Sequence, residues 1–347
     1  MQQFRIVDRR DVLPKRPDRY LSFPGLVRLG PGRILMGYRD GRSVPGTYSH
    51  GADGDLKLLR YEHGRWGKPE LLYAHEGGVE EMGCGDLTRL RDGTVTLFSR
   101  QWDGANHRSI ATYIARSADG GTTFGPRRAI PLPMFPGGWA PYGKVIEGEG
   151  GVWLQGAYGR AAAGEGSSSA CIESRDGGET WELRSWIAAF GCIPCPNFHE
   201  PMMFRLGDGT FFALLRTNGL FYAARSRDEA RTWSLPEPSF EGMACAGIVL
   251  SSGELLVTYR GIHHDGPPPG TRVPIQIHKG RLYCCRASAD GGRTWTPEMS
   301  LDDNEAHQVG SYGMGDALEL EDGTVLVVFY TSDKDQAPWI QQVTLAR

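Results

Sequence analysis

Six times along the chain an apolar run meets a tight turn and a second apolar run follows. The copies are Leu26–Tyr38, Leu87–Ser99, Val145–Ala157, Met203–Leu215, Ile248–Tyr259 and Leu318–Phe329. Each is centred on a glycine: Gly32, Gly93, Gly151, Gly209, Gly253 and Gly323. Short apolar runs bounded by glycine turns predict buried strands joined by hairpins.

A second pattern recurs between these hairpins. Ser-x-Asp-x-x-x-Thr-aromatic occurs at Ser117–Phe124, Ser174–Trp181, Ser226–Trp233 and Ser288–Trp295, in copies 57, 52 and 62 residues apart. The Asp carboxylate of such a turn can accept hydrogen bonds from nearby backbone N–H groups. The glycine pair that follows it in three copies supplies positive φ. The closing Trp or Phe predicts packing between neighbouring sheets. Six hairpins and four such turns predict an all-β, six-bladed β-propeller with four antiparallel strands per blade, each blade about 58 residues. Blade one keeps a remnant of the turn at Glu62–Trp66. Blade six runs out of chain after Trp339–Arg347, so Phe4–Val7 is expected to supply its outer strand. No linker interrupts the pattern, and residues 1–347 read as one domain.

Composition narrows the function classes. The 48 Gly and 22 Pro are spread along the chain, as many tight turns require. Hydrophobic residues at 40% and charged residues at 23% supply a core and exclude a disordered chain. A net charge of -3 argues against nucleic acid as partner. No apolar run is long enough to span a membrane, and Met1–Arg10 has no apolar stretch of signal-peptide type. Seven cysteines, with Cys284 and Cys285 adjacent, suit free thiols and a reducing compartment better than a disulfide framework.

A hairpin returns to the end where it began, so equivalent positions in the six copies share one face. Seven residues past each turn glycine stand Arg39, Arg100, Tyr158, Arg216, Arg260 and Tyr330. Nine before stand Phe23, Cys84, Tyr142, Glu200, Ala244 and Met314; seven before stand Asp86, Lys144 and Asp316 among others. Four arginines at one level predict a cationic basin near the central channel, because each guanidinium can clamp a carboxylate through two parallel hydrogen bonds. The expected ligand is a small anion such as an acidic sugar. The Ser/Asp turns fall on the opposite side and read as structural.

Six blades with these Asp-box (BNR) turns resemble the sialidase (neuraminidase) superfamily over essentially the whole chain. Its site motifs are matched in part. His199–Glu200–Pro201 and Leu215–Arg216 look like the family's Glu–Arg pair in the central blade, Tyr259–Arg260 is similar to the Arg of the next, and Tyr312 stands where the family has its nucleophile. The resemblance implies an exo-acting, retaining glycoside hydrolase with Tyr312 as nucleophile and Glu200 as its base. Arg216 and Arg260 would hold the substrate carboxylate, and Arg39 looks like the family's additional arginine in blade one. Two positions depart. Phe23 stands where the family opens the first inner strand with Arg, and Arg39 or Arg100 would have to compensate. The general acid falls in the loop Thr47–Asp53, where His50 or Asp53 could serve.

Other clusters remain. Cys192, Cys195 and His199 have metal-like spacing but are three ligands where structural zinc takes four, and read as buried thiols beside Glu200. No cofactor or metal is called for. His263–Asp265 is a candidate acid–base or substrate contact, followed by Pro267–Pro269 in what reads as a flap over the face. Trp102, Trp139 and Tyr142 could stack on a sugar ring, with core packing the stronger reading for Trp139. The sequence therefore predicts an acidic carbohydrate as partner. A polysaccharide lyase or other glycosidase acting on uronic-acid glycans and a non-catalytic acidic-sugar-binding propeller are the rivals.

Overall fold

A computed structural model describes residues 3–43, 53–77, 79–82, 87–103, 108–195, 197–262, 283–302, 313–332 and 337–347. They form six antiparallel sheets arranged as the blades of a propeller, with one three-residue 3-10 turn at Glu149–Gly151. Four inner hairpins begin with Arg19–Gly30/Arg33–Arg42, Trp139–Glu147/Trp153–Gly159, His199–Arg205/Phe211–Arg216 and Met243–Val249/Leu255–Arg260. In blade two the inner strand is split into Val79–Met82 and Leu87–Arg89, both paired with Val95–Asp103. The cores are the apolar layers between adjacent sheets, as alternating burial on stacked sheets demands. No helix among the described residues is long and apolar enough to cross a membrane.

The ring closes through its termini. Gly315–Glu319, Val325–Thr331 and Trp339–Ala346 make three strands of blade six, and Arg5–Leu13 is the fourth. That strand is longer than the expected Phe4–Val7 because it continues past a bulge between Ile6 and Asp8.

The four Asp-box turns share one hydrogen-bond plan. Asp176 Oδ1 accepts from Ser174 Oγ at 2.8 Å and from Thr180 N at 2.9 Å, and Gly178 N donates to Ser174 Oγ at 2.8 Å. The hydrogen bonds from Thr180 hold the Asp176 carboxyl down at about 2. The same bonds recur at Asp119, Asp228 and Asp290. Two of the turns reach over the inner hairpin of the preceding blade. A Cβ on Gly121 would stand 2.9 Å from Leu29 of blade one, and a Cβ on Gly292 would stand 2.5 Å from Phe212 of blade four. In blade four Glu229 and Ala230 replace the glycine pair and still adopt φ of 58° and 60°. The turn geometry therefore dominates over local preference there. The blade-one remnant is instead a two-residue hairpin turn, His63 and Gly64 having φ of 52° and 79°. Trp66 at its end donates Nε1–H to Gln342 of blade six at 2.7 Å.

The central channel is bridged. Lys144 of blade three pairs with Asp316 of blade six and donates to the Leu26 carbonyl of blade one at 2.6 Å, while Leu26 N donates to Asp316 at 2.7 Å. Lys144 and Asp316, the charged seven-before positions among the described residues, thus neutralise one another rather than adding charge to the open face.

Candidate active site

The inner strands are interrupted at the face predicted to carry the site. Pairing shifts register between Ser22 and Gly25, between His199 and Met202, and between Met243 and Ala246. At each shift one non-glycine residue is left-handed: Phe23 at φ 53°, Glu200 at 47° and Ala244 at 51°. Pro24 and Pro201 follow two of them, and a proline has no N–H for the ladder, so regular pairing stops there. These are bulges of the kind that re-aim a side chain, and a left-handed non-glycine residue costs on the order of 1–3 kcal/mol.

Glu200 is 6% exposed. Its Oε1 accepts from Arg216 Nη1, and its Oε2 has no hydrogen-bond partner among the described residues. The Arg216 side chain is one-quarter exposed. Burial pulls the Arg216 guanidinium down, but the Glu200 carboxylate and the Tyr158 and Tyr142 hydroxyls outweigh it and raise it. His199 pairs across the strands with Arg216, and its ring meets Tyr158 edge-on at 5.5 Å. Burial first, then Arg216 and Arg160, push His199 down to about 4, with Glu200 opposing them. It is therefore neutral at pH 7 and presents a hydrogen-bonding ring rather than a cation. Tyr142 reaches from blade three to blade five, donating to the Cys245 carbonyl at 2.8 Å. Burial and the neighbouring Glu200 push its hydroxyl far up, so it stays protonated. Tyr142, Tyr158, His199, Glu200 and Arg216 thus form one electrostatic unit across blades three and four.

The other register positions separate. Arg260 is partly exposed in blade five, with Nη2 at 3.5 Å from Met243 Sδ. Arg100 is partly exposed and lies over the Trp102 ring at 4.8 Å. Arg39 has no exposed surface: it lies over Tyr20 at 5.7 Å and donates to the Asp53 carbonyl. Gly41 and Gly54 close on it, and a Cβ on Gly41 would stand 2.6 Å from Nη2. Tyr330 is equally buried, with Phe23 against its edge at 5.4 Å. Of the four arginines read from the register, Arg39 lies inside the wall of blade one, while Arg100, Arg216 and Arg260 are partly exposed. Trp139 is buried and donates to the Ile130 carbonyl, as the packing reading expected.

Asp53 is 5% exposed and both its oxygens take Arg42, through the backbone N at 2.9 Å and through Nε. Burial raises its carboxyl, but these bonds outweigh it and hold it below the ordinary range. A carboxylate so engaged offers charge rather than a proton. Beside it the structure shows a pair that sequence reading missed: His75 Nδ1 lies 2.7 Å from Asp55 Oδ1. The two are 20 residues apart, and only the pairing of Leu56 with Tyr73 brings them together. Tyr312, His50, Asp86 and His263 lie outside the described residues, as do Cys84, His264 and Asp265. Among the described residues no group of three or more His, Cys, Asp or Glu side chains is placed to hold a metal ion.

A family model described as a BNR repeat-like domain matches residues 55–312. The chain belongs to that family. This BNR propeller matches no curated protein sequence. Among solved structures it is similar to a protein of unknown function from Dyadobacter fermentans, at 22% identity and TM-score 0.81 over 99% of this chain and 98% of the other. It is also similar to the NanB sialidase of Streptococcus pneumoniae, at 14% identity and TM-score 0.68 over 96% of this chain and 70% of that one. The α-L-arabinanase of Penicillium chrysogenum, in complex with arabinobiose, follows at 12% identity and TM-score 0.66 over 98% of both chains. The BNR propeller thus has a sialidase-like, glycoside-hydrolase-type fold.

Proposed function

We propose that the protein is an exo-acting, retaining glycoside hydrolase that removes a terminal acidic sugar. Glu200 carries the reading: a carboxylate that is strained, buried and paired through one oxygen, with the other oxygen unpartnered among the described residues. A fold gains nothing in stability from such a residue, and backbone strain clusters at working sites. Glu200 is the base that takes the proton of the Tyr312 phenol as Tyr312 attacks the anomeric carbon. A neutral phenol suits an anionic substrate, since a carboxylate nucleophile would be repelled. Arg216 and Arg260 grip the substrate carboxylate, Arg100 stands on the same face, and neutral His199 with Tyr142 lines the ring. Tyr312 enters through the family resemblance alone, His50 through the loop where that resemblance puts the acid, Asp86 through the hairpin register and His263 through its place on the loop after Arg260.

A turnover screen against aryl glycosides of sialic and uronic acids, with product analysis, tests this. Release of a saturated acidic sugar with retained configuration is the expected result, and Tyr312→Phe should remove most of it while leaving thermal unfolding unchanged. Full activity in Tyr312→Phe sinks the nucleophile. The burial of Arg39 and the presence of Phe23 depart from the three-arginine clamp that the resemblance implies, and favour a second reading in which the substrate is a uronic-acid glycan. A lyase acting on such a glycan would leave an unsaturated product absorbing in the ultraviolet. Binding of acidic glycosides without turnover would point to a non-catalytic propeller.

A further inference from the structure

We propose that Arg160, at the end of the second strand of blade three, is a substrate-binding residue that acts with Arg216 to select the sugar's carboxylate. The inference rests on the acidic-sugar reading above and names the charge that would carry it. The strand Trp153–Gly159 ends one residue before Arg160, and its Gly159 is opposite Trp139. Two residues before Arg160, the Tyr158 ring meets the His199 ring edge-on at 5.5 Å, and His199 is itself opposite Arg216 in blade four. Side chains two apart along a strand point to one side. Arg160 therefore continues the side of the strand that Tyr158 turns to blade four, about 7 Å further toward the open face.

Arg216 by itself is a weak lure for an anion. Its guanidinium is already paired with the Glu200 carboxylate, so the two together carry no net charge. Arg160 differs. It is exposed, and among the described residues no hydrogen bond or ion pair takes up its charge. Glu165, the carboxyl of the loop that follows, is not paired with it. His199 registers the resulting imbalance. Burial lowers the ring most; among its charged neighbours Arg216 and Arg160 lower it further, and Glu200 alone opposes them. Two cations against one carboxylate leave the ring in a positive field. The ring is itself neutral at pH 7, so it can hydrogen-bond a ligand without discharging that field.

An acidic sugar lying over His199 would meet guanidinium groups from two adjacent blades. Arg216, held by Glu200, supplies a fixed direction, and Arg160 supplies the uncompensated charge. A guanidinium takes a carboxylate through two parallel N–H bonds. Ordering the long, exposed Arg160 side chain offsets part of that gain. Binding led by an exposed charge also weakens as salt rises. Arg160 makes and breaks no bond, so its role is in affinity and in the choice between acidic and neutral sugars.

The test uses the full chain and calorimetric binding of N-acetylneuraminate and glucuronate, each against its uncharged amide. The wild-type protein should bind one of the acids more tightly than its amide. Arg160→Gln should weaken that acid about tenfold and leave the amide within about twofold, the worth of a hydrogen bond to a charged group discounted for exposure. Arg160→Lys, which keeps the charge and loses the fork, should fall between. Arg89→Gln removes an exposed arginine beside the turn at Gly93, on the opposite face, and should change neither ligand. Raising salt from about 0.05 to about 0.3 M should erode the acid's advantage in wild type and much less in Arg160→Gln. A second readout needs no ligand: in magnetic resonance spectra of nitrogen-labelled histidine, His199 should titrate at higher pH in Arg160→Gln than in wild type. An unmoved His199 midpoint, or an acid preference that survives Arg160→Gln in full, overturns the proposal. Equal losses for acid and amide mean that Arg160 supports the loop and not the anion, and overturn it as well. A wild-type protein that prefers neither acid to its amide removes the acidic-sugar reading and this inference with it, whereas the variant outcomes bear on the inference alone.

Discussion

The Glu200–Arg216 pair offers a direct measure of how the candidate site is held. Arg216→Met keeps most of the side-chain volume and removes the only described partner of Glu200. The carboxylate would then be 6% exposed with no compensating cation. Breaking a buried pair from one side costs about 3–5 kcal/mol. The arginine here is one-quarter exposed, so part of its charge is already screened, and about 2–4 kcal/mol is the reasoned loss at pH 7. Urea unfolding of wild type and variant at pH 7 reads the difference. Glu200→Gln should cost less than Arg216→Met, because the guanidinium left behind can reach water. The double variant should recover part of the sum, giving a coupling energy of about 1–3 kcal/mol. A loss under about 1 kcal/mol would refute the buried-pair account.

Further outcomes follow from single residues. His199 is held at about 4 against an ordinary 6.5, so the unfolded chain takes up a proton first as pH falls, and stability should drain away between those values. His199→Phe should flatten that part of a stability-versus-pH curve; an unchanged slope would mean the ring is solvated. Gly292→Ala places a Cβ at φ 81° and 2.5 Å from the Phe212 ring. It should cost on the order of 2–4 kcal/mol and lower Tm by several degrees in calorimetry, whereas Gly253→Ala, with nothing within 4 Å, should cost only the left-handed backbone, about 1–2 kcal/mol. Tyr142→Phe removes one buried hydrogen bond to blade five and should lose about 1 kcal/mol in urea titration.

The propeller was legible in one dimension because its units are local. A hairpin or an Asp-box turn is complete within about ten residues, so its apolar runs, glycines and Ser/Asp/Thr positions state its geometry without reference to the rest of the chain. Repetition then fixed the register, and the register alone brought His199, Glu200 and Arg216 to one face. Other properties depend on contacts that span the ring or cross strands. Phe23, Glu200 and Ala244 share a left-handed bulge that nothing in their residue types announces. Arg39 holds the same register as Arg216, yet Gly41, Gly54 and the Asp53 carbonyl enclose it while Arg216 stays partly open. Lys144 finds Asp316 only across the channel, 172 positions away, and His75 finds Asp55 only because two strands of blade one pair. The sequence by itself determined the blades and the face they share. Which of the equivalent side chains are buried, neutralised or open was decided by the tertiary structure, because burial and charge pairing depend on neighbours that the repeat does not specify.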